Sequence, residues 1–210
     1  VYGNLDDLTV TEEATRYALP ELPEGIDESR PLEFHSPYGC SKGAADQYVC
    51  DYAHSFGLRT AAFRQSCIYG THQFGLEDQG WGTWFLIATA LGRPITIYGD
   101  GKQVRDLLWI EDLCYLYFAV WNSENFPWGS AINVGGGPEN TLSLLELLTL
   151  MDDLGIPRPT HTQGNWRKGD QRIFLSNNSK AHRLTDWSPK TNPREGIRRL
   201  WNWIQENERS

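Results

Sequence analysis

The sequence predicts an α/β fold, and three observations carry that expectation. Short runs rich in apolar and β-branched residues, at 59–64, 95–98, 103–108 and 131–134, have the length of strands. Between them lie longer segments whose apolar residues recur every three or four positions, as on one face of a helix. Glycine, proline and helix-capping residues mark the breaks between the two kinds of segment. No internal repeat or low-complexity segment interrupts the alternation.

Val1-Tyr2-Gly3 reads as the end of a strand. Residues 4–34 are rich in acidic residues, contain Pro20, Pro23 and Pro31 and show little periodicity, so they read as a long surface loop. Loops of that length are uncommon in compact domains unless functional; this one, leading directly to Tyr38, is either a lid or substrate-flanking insertion or a plain connector. Ser36 suits an N-cap and Pro37 a first helical position. The helix then runs to Phe56, with Ala45, Tyr48, Val49, Tyr52 and Phe56 as its expected core stripe and Gly57 as its stop. Residues 59–64 read as a buried strand leading into Gln65-Ser66-Cys67-Ile68-Tyr69-Gly70. Ligands of open α/β sheets bind beyond the carboxyl ends of the strands, which places this loop for a cofactor.

Residues 73–80 are turn-rich, 81–91 a helix, 95–98 a strand and Gly99-Asp100-Gly101 a turn. A strand at 103–108 leads into a helix at 110–121, and another strand comes at 131–134. Gly135-Gly136-Gly137 looks superficially like a phosphate loop. Ser143-Leu144-Leu145-Glu146 supplies its own capping box downstream, however, so the glycines read as a turn before the helix bearing Leu144, Leu147, Leu148 and Met151. Residues 164–172 are a second polar concentration. After it come a short strand at 173–176, a short helix at 179–184 and a closing amphipathic helix with Ile197, Leu200, Trp201 and Ile204.

Tyr38 and Lys42 are four residues apart and share a helix face. A phenol ionises near pH ~10, too high for a base at neutrality. A lysine ammonium beside it favours the phenolate and lowers that value. Arg105 and Arg167 are planar, permanently charged donors suited to gripping a diphosphate bidentately. The net charge of −8 argues against nucleic acid or an anionic membrane as the main partner. No apolar run reaches the ~18 residues of a membrane helix. Cys40, Cys50, Cys67 and Cys114 lack C-x-x-C spacing and read as reduced thiols of a cytoplasmic protein. The five histidines are too scattered for a metal site, and no G-x-S-x-G supports a nucleophilic hydrolase.

Ser36-Pro37-Tyr38-Gly39-Cys40-Ser41-Lys42 resembles the catalytic-helix start of extended short-chain dehydrogenase/reductases, the NAD-dependent nucleotide-sugar epimerases and dehydratases. The resemblance covers nearly all of the chain. Phe74-Gly75-Leu76-Glu77-Asp78-Gln79-Gly80-Trp81 and Gly101-Lys102-Gln103-Val104-Arg105-Asp106 are similar to the CDP-tyvelose (CDP-paratose) 2-epimerase branch. It implies an incomplete Rossmann-type parallel sheet with a smaller C-terminal substrate-binding α/β region. Residues 1–70 would finish the NAD-binding domain; 71–210 would be mainly substrate-binding, with segments returning to the sheet.

The resemblance further implies NAD as cofactor, Tyr38 as base and Lys42 as its tuner and ribose ligand, with Gln65, Ser66 and Cys67 on the nicotinamide side. Gln103, Arg105, Arg167, Asp170 and Trp81 would meet a nucleotide sugar, a CDP-sugar favoured, with Asp106 and Asp170 orienting the arginines. The whole enzyme would be a homodimer or larger homo-oligomer. The reaction implied is epimerisation by transient oxidation of a sugar hydroxyl. A 4,6-dehydratase or 4-epimerase is the alternative, and a non-catalytic sugar-nucleotide-binding remnant the alternative of another class. No G-x-G-x-x-G opens a helix here. The expectation is therefore a C-terminal portion, inactive alone, whose Gly-rich half and catalytic Ser or Thr lie before Val1.

Overall fold

The computed structural model describes residues 1–167 and 169–207, so that Lys168 and 208–210 lie outside the described residues. In chain order, β1 (Thr11–Glu12) and β2 (Tyr17–Ala18) precede α1 (Pro37–Phe56), β3 (Ala62–Gln65) and β4 (Cys67–Tyr69). Then come α2 (Trp81–Ala90), β5 (Ile95–Tyr98), β6 (Val104–Trp109), α3 (Ile110–Asn122) and β7 (Ala131–Val134). A 3₁₀ turn leads to β8 (Thr141–Ser143), α4 (Leu144–Asp153), β9 (His161–Gly164), β10 (Ile173–Phe174), α5 (Ser179–Thr185) and α6 (Pro193–Asn207).

Pairing is mostly parallel, as expected of an α/β chain: β3 with β7, β5 with β9, and β6 with both β4 and β10. β8 joins β6 in the antiparallel sense. β6 is the hinge of the architecture. Successive side chains of a strand point to opposite faces, and here Leu107 and Trp109 enter a core built with α2, α4 and α6. Leu108 between them enters a second core with Leu113 and Leu116 of α3 and Ile132 and Val134 of β7. Such two-sided burial explains the unbroken apolar run in this strand.

Local signals explain the helix ends. Ser36 Oγ accepts from Gly39 N at 3.0 Å, and Gly57 closes α1 at φ 66°, a left-handed conformation that costs glycine little. Ser143 and Glu146 form the anticipated capping box on α4, at 3.0 and 2.9 Å. Two expectations fail. Residues 4–34 are no plain surface loop: Leu5, Tyr17, Leu19 and Ile26 are buried at 5% exposure or less. Arg16 grips Glu146 through two bonds of 2.7 and 2.6 Å, and Tyr17 Oη donates to Asp100 at 2.5 Å. The anchors are long-range, so local periodicity could not reveal them. The α1 stripe is not core either. Tyr48, Tyr52 and Phe56 are 67%, 46% and 67% exposed, because α1 turns Gly43 and Asp46 inward instead.

Candidate active site

At the start of α1, Tyr38 is 71% exposed and the Lys42 ammonium lies 5.5 Å from its ring centroid. The anticipated pair therefore shares one solvent-facing side of the helix. Phe34 packs beneath it: a Cβ on Gly43 would stand 2.0 Å from Phe34 Cζ, so only glycine lets the ring lie against the helix.

Gln65 ends β3, and its amide donates to Tyr117 Oη at 2.5 Å. Ser66 N–H donates to Val134 O at 2.8 Å, while its hydroxyl donates to Asp106 Oδ1. Cys67 begins β4 half-buried, and burial raises its thiol pKa, the opposite of what a reactive thiolate needs. All four cysteines are free.

A cleft of about 460 Å³ is lined by residues that include Asn4, Asp6, Trp166, Arg167, Asp170 and Arg172. Arg105 Nη2 donates to Asp170 Oδ1 at 2.7 Å, and Arg105 Nη1 donates to Val104 O at 2.8 Å. Arg167 lies 3.8 Å over the Tyr98 ring and pairs with Asp78 at 2.8 Å. Three other residues stand elsewhere than a ligand contact would require. Gln103 is 6% exposed, precedes β6 and donates to Tyr98 O at 2.7 Å. Trp81 packs edge-on against Phe85 at 6.0 Å and against the first core. Neither lines the cleft, and Arg105 reaches it only through its partner Asp170, which does. Among the described residues Asp106 pairs with no arginine; it accepts from Ser66, Ser176 and the Gly137 amide. The Gly135 amide goes to Asn178, so the glycine turn spends its donors on protein, in keeping with the reading of it as a turn.

Sequence reasoning missed the network behind α1. Asp46, one turn beyond Lys42, is held by Arg64, and Arg64 in turn donates to Tyr2. The signal available was the spacing of four that runs on from Tyr38 and Lys42 to a third polar residue.

Two buried carboxylates titrate in opposite senses. Burial pushes Asp106 above the usual range despite its hydrogen bonds. Burial also pushes Asp46 up, but the Arg64 bonds and charge outweigh it and leave its pKa lowered. A lowered carboxyl contributes stability that is present above its unfolded pKa, ~3.9, and is lost as pH falls through the folded value. Asp106, being raised, contributes in the reverse sense, most below ~3.9 and less as pH rises through its folded value. In thermal denaturation, the Tm deficit of Asp46→Asn relative to wild type is expected to be full at neutrality and to shrink below about pH 4. A deficit constant down to about pH 3 would show that Asp46 is not stabilised as its anion.

Residues 14–135 match the model of the NAD dependent epimerase/dehydratase family. The chain is 45% identical to a CDP-paratose 2-epimerase of Salmonella typhi over 97% of its own length and 62% of the relative's. It is 29% identical to a UDP-glucuronate 4-epimerase of Thermodesulfobacterium geofontis, covering 90% and 55%. It thus spans little more than half of the curated relatives it matches. Among solved structures, a dTDP-glucose 4,6-dehydratase of Bacillus anthracis in complex with NAD superimposes with a TM-score of 0.74 at 26% identity, over 99% of this chain and 59% of that one. A UDP-glucuronic acid 4-epimerase of Bacillus cereus, solved with UDP-glucuronic acid and NAD, shares the fold with a TM-score of 0.77 at 24% identity, over 87% and 57%. With a parallel-stranded α/β fold, a Tyr38–Lys42 helix face and a family match over more than half its residues, this chain belongs to the NAD dependent epimerase/dehydratase family.

Proposed function

We propose that the whole protein is an NAD-dependent nucleotide-sugar 2-epimerase that interconverts CDP-paratose and CDP-tyvelose. The observation that carries this reading is the coexistence of the exposed Tyr38–Lys42 face with a cleft lined by Arg167, Asp170 and Arg172, behind which Asp170 holds Arg105. The 45% identity to a CDP-paratose 2-epimerase favours the CDP-sugar over other nucleotide sugars.

The donor set fits one end of NAD. A phenol hydroxyl and an ammonium stand exposed one turn apart, suited to ribose hydroxyls, and Gln65, Ser66 and Cys67 lie at the carboxyl end of a parallel strand, where α/β folds bind cofactors. NAD, when bound, supplies reversible hydride acceptance. Tyr38 would take the proton of the sugar hydroxyl and later return it, with Lys42 favouring the phenolate. Arg105 and Arg167 would hold the diphosphate while the oxidised sugar turns, so that the hydride would return to the other face of the same carbon and Tyr38 would return the proton to its oxygen. Arg105 is held between Asp170 and the Val104 carbonyl, so a diphosphate would have to draw it from the pair.

The expected division places residues 1–70 on the cofactor side and 71–210 mainly on the substrate side; the pairing of β7 with β3 supports a segment that returns to the first part. A homodimer is the proposed assembly, since the exposed Tyr48, Tyr52 and Phe56 side of α1 suits a second copy; sedimentation velocity reads it directly. The four free thiols favour the cytoplasm, and no helix among the described residues is long and apolar enough to cross a membrane.

The decisive experiment uses CDP-paratose deuterated at C2. Transient oxidation at C2 takes the deuteride off and returns it, so CDP-tyvelose should form with the label retained. Loss of the label to water, or release of water with a 4-keto product, overturns the reading.

A narrower expectation concerns the 210 residues alone. Pyrophosphate in dinucleotide folds rests on free backbone amides at a helix N-terminus, and the amides of Gly135 and Gly137 are already taken. Titration followed by tryptophan fluorescence should give no saturable NAD binding at micromolar concentrations. Saturation there would mean that Tyr38, Lys42 and the Ser66 loop are a sufficient cofactor site.

A further inference from the structure

Within the described residues, α1 turns small and polar residues toward the strands of this chain. α1 has 20 residues, of which only Gly43 and Asp46 are buried. Its inward face meets those strands through a directional contact.

Asp46 is that directional contact. Its Oδ1 accepts from Arg64 Nε at 2.8 Å and its Oδ2 from Arg64 Nη2 at 3.0 Å. The two side chains are 5% and 10% exposed. Arg64 Nη1 donates to Tyr2 Oη at 3.0 Å, and Tyr2 Oη donates to Asn133 Oδ1 at 2.6 Å. Arg64 and Asn133 are direct register partners in the β3–β7 pair. The network therefore ties one face of α1 to two adjacent strands at once. Tyr38, Lys42 and Asp46 succeed one another at steps of four residues, each step ~6 Å along the axis, so the anchor lies one turn beyond Lys42. Gln65, immediately after Arg64, is the end of the strand proposed to face the nicotinamide.

The geometry points to Asp46 and Arg64 as positioning residues, whose bidentate pair sets the rotation of α1 and thereby aims Tyr38 and Lys42 at the sugar hydroxyl. This inference rests on the function proposed above. A guanidinium–carboxylate fork has one favoured geometry, whereas apolar surfaces tolerate sliding. A buried ion pair is commonly no more stabilising than an apolar pair of similar size, so its value here is orientation.

The test compares Asp46→Asn, Asp46→Glu and the double variant Asp46→Leu/Arg64→Met in the whole protein. The double variant leaves no buried charge unpaired and is expected to keep a Tm near wild type. Both Asp46→Asn and the double variant should lose about tenfold or more in kcat, the scale of a small misplacement of a reacting group. KM for the nucleotide sugar should stay within about twofold, because the arginine cleft is untouched. Asp46→Glu, which restores the charged fork, should recover part of kcat. Wild-type kcat in a double variant of wild-type Tm overturns the inference, as does a loss that merely tracks the folded fraction. A crystal structure of the double variant supplies a readout without turnover: α1 rotated about its axis supports the assignment, and α1 unmoved overturns it even if the wild-type substrate proves different. Failure of the proposed function is seen separately, as wild-type protein that does not epimerise CDP-paratose.

Discussion

Replacing Tyr38 with phenylalanine should lower turnover of the whole protein by ~10²–10⁴-fold, the usual contribution of a positioned acid–base group. The ring is kept and only the hydroxyl is lost. Because Tyr38 is 71% exposed at the first turn of α1, the substitution removes no core packing, and Tm should hold. NAD should still bind, since the adenosine and pyrophosphate contacts of a dinucleotide lie elsewhere. Equilibrium dialysis with NAD and single-turnover kinetics separate the two effects. Near-normal turnover in Tyr38→Phe would take the phenol out of the mechanism.

Arg105→Ala should weaken binding of the nucleotide sugar by ~1.5–3 kcal/mol, the scale of charge-assisted hydrogen bonds. In affinity that is roughly ten- to a hundredfold. Arg105 is only 16% exposed and Asp170 is its ion-pair partner, so truncation also leaves a carboxylate facing an anionic ligand. Asp170→Asn is therefore expected to weaken binding less, since it frees Arg105 without removing it. Calorimetry with CDP as the probe measures both variants. If Arg105→Ala abolished NAD binding and spared CDP, the two sites would be assigned the wrong way round.

What the sequence made legible was local. Ser36, Pro37 and Gly57 bound α1 because capping chemistry involves residues within one turn of the helix end, and the Ser143–Glu146 box opens α4 for the same reason. Residues 11–18 form a hairpin whose anchors, Glu146 and Lys102, lie more than eighty positions away, and no nearby pattern encodes them. The spacing of Tyr48, Tyr52 and Phe56 marks an apolar helix face but cannot say what covers it. Residue type and motif point to Arg167 and Asp170, which line the cleft, and to Arg105, which pairs with Asp170 behind it. Asp106, next to Arg105, is not its partner, because adjacent residues of a strand face opposite ways and the true partners, Ser66 and Ser176, come from other segments.

That alternation along β6 sets how the protein can change. Arg105 pairs with Asp170 at the cleft, Asp106 fastens the Ser66 loop and the glycine turn, and Leu107, Leu108 and Trp109 fill two separate cores. A single inserted or deleted residue in this strand would slip every side chain to the opposite face. Phosphate grip, loop anchor and both cores would fail together. Length variation should therefore be barred from β6 and directed to the turn-rich stretch at 73–80 and the polar stretch at 164–172, which meet through the Asp78–Arg167 pair at the cleft. New sugar preferences are expected to arise by remodelling those two stretches while the six residues of β6 keep their count.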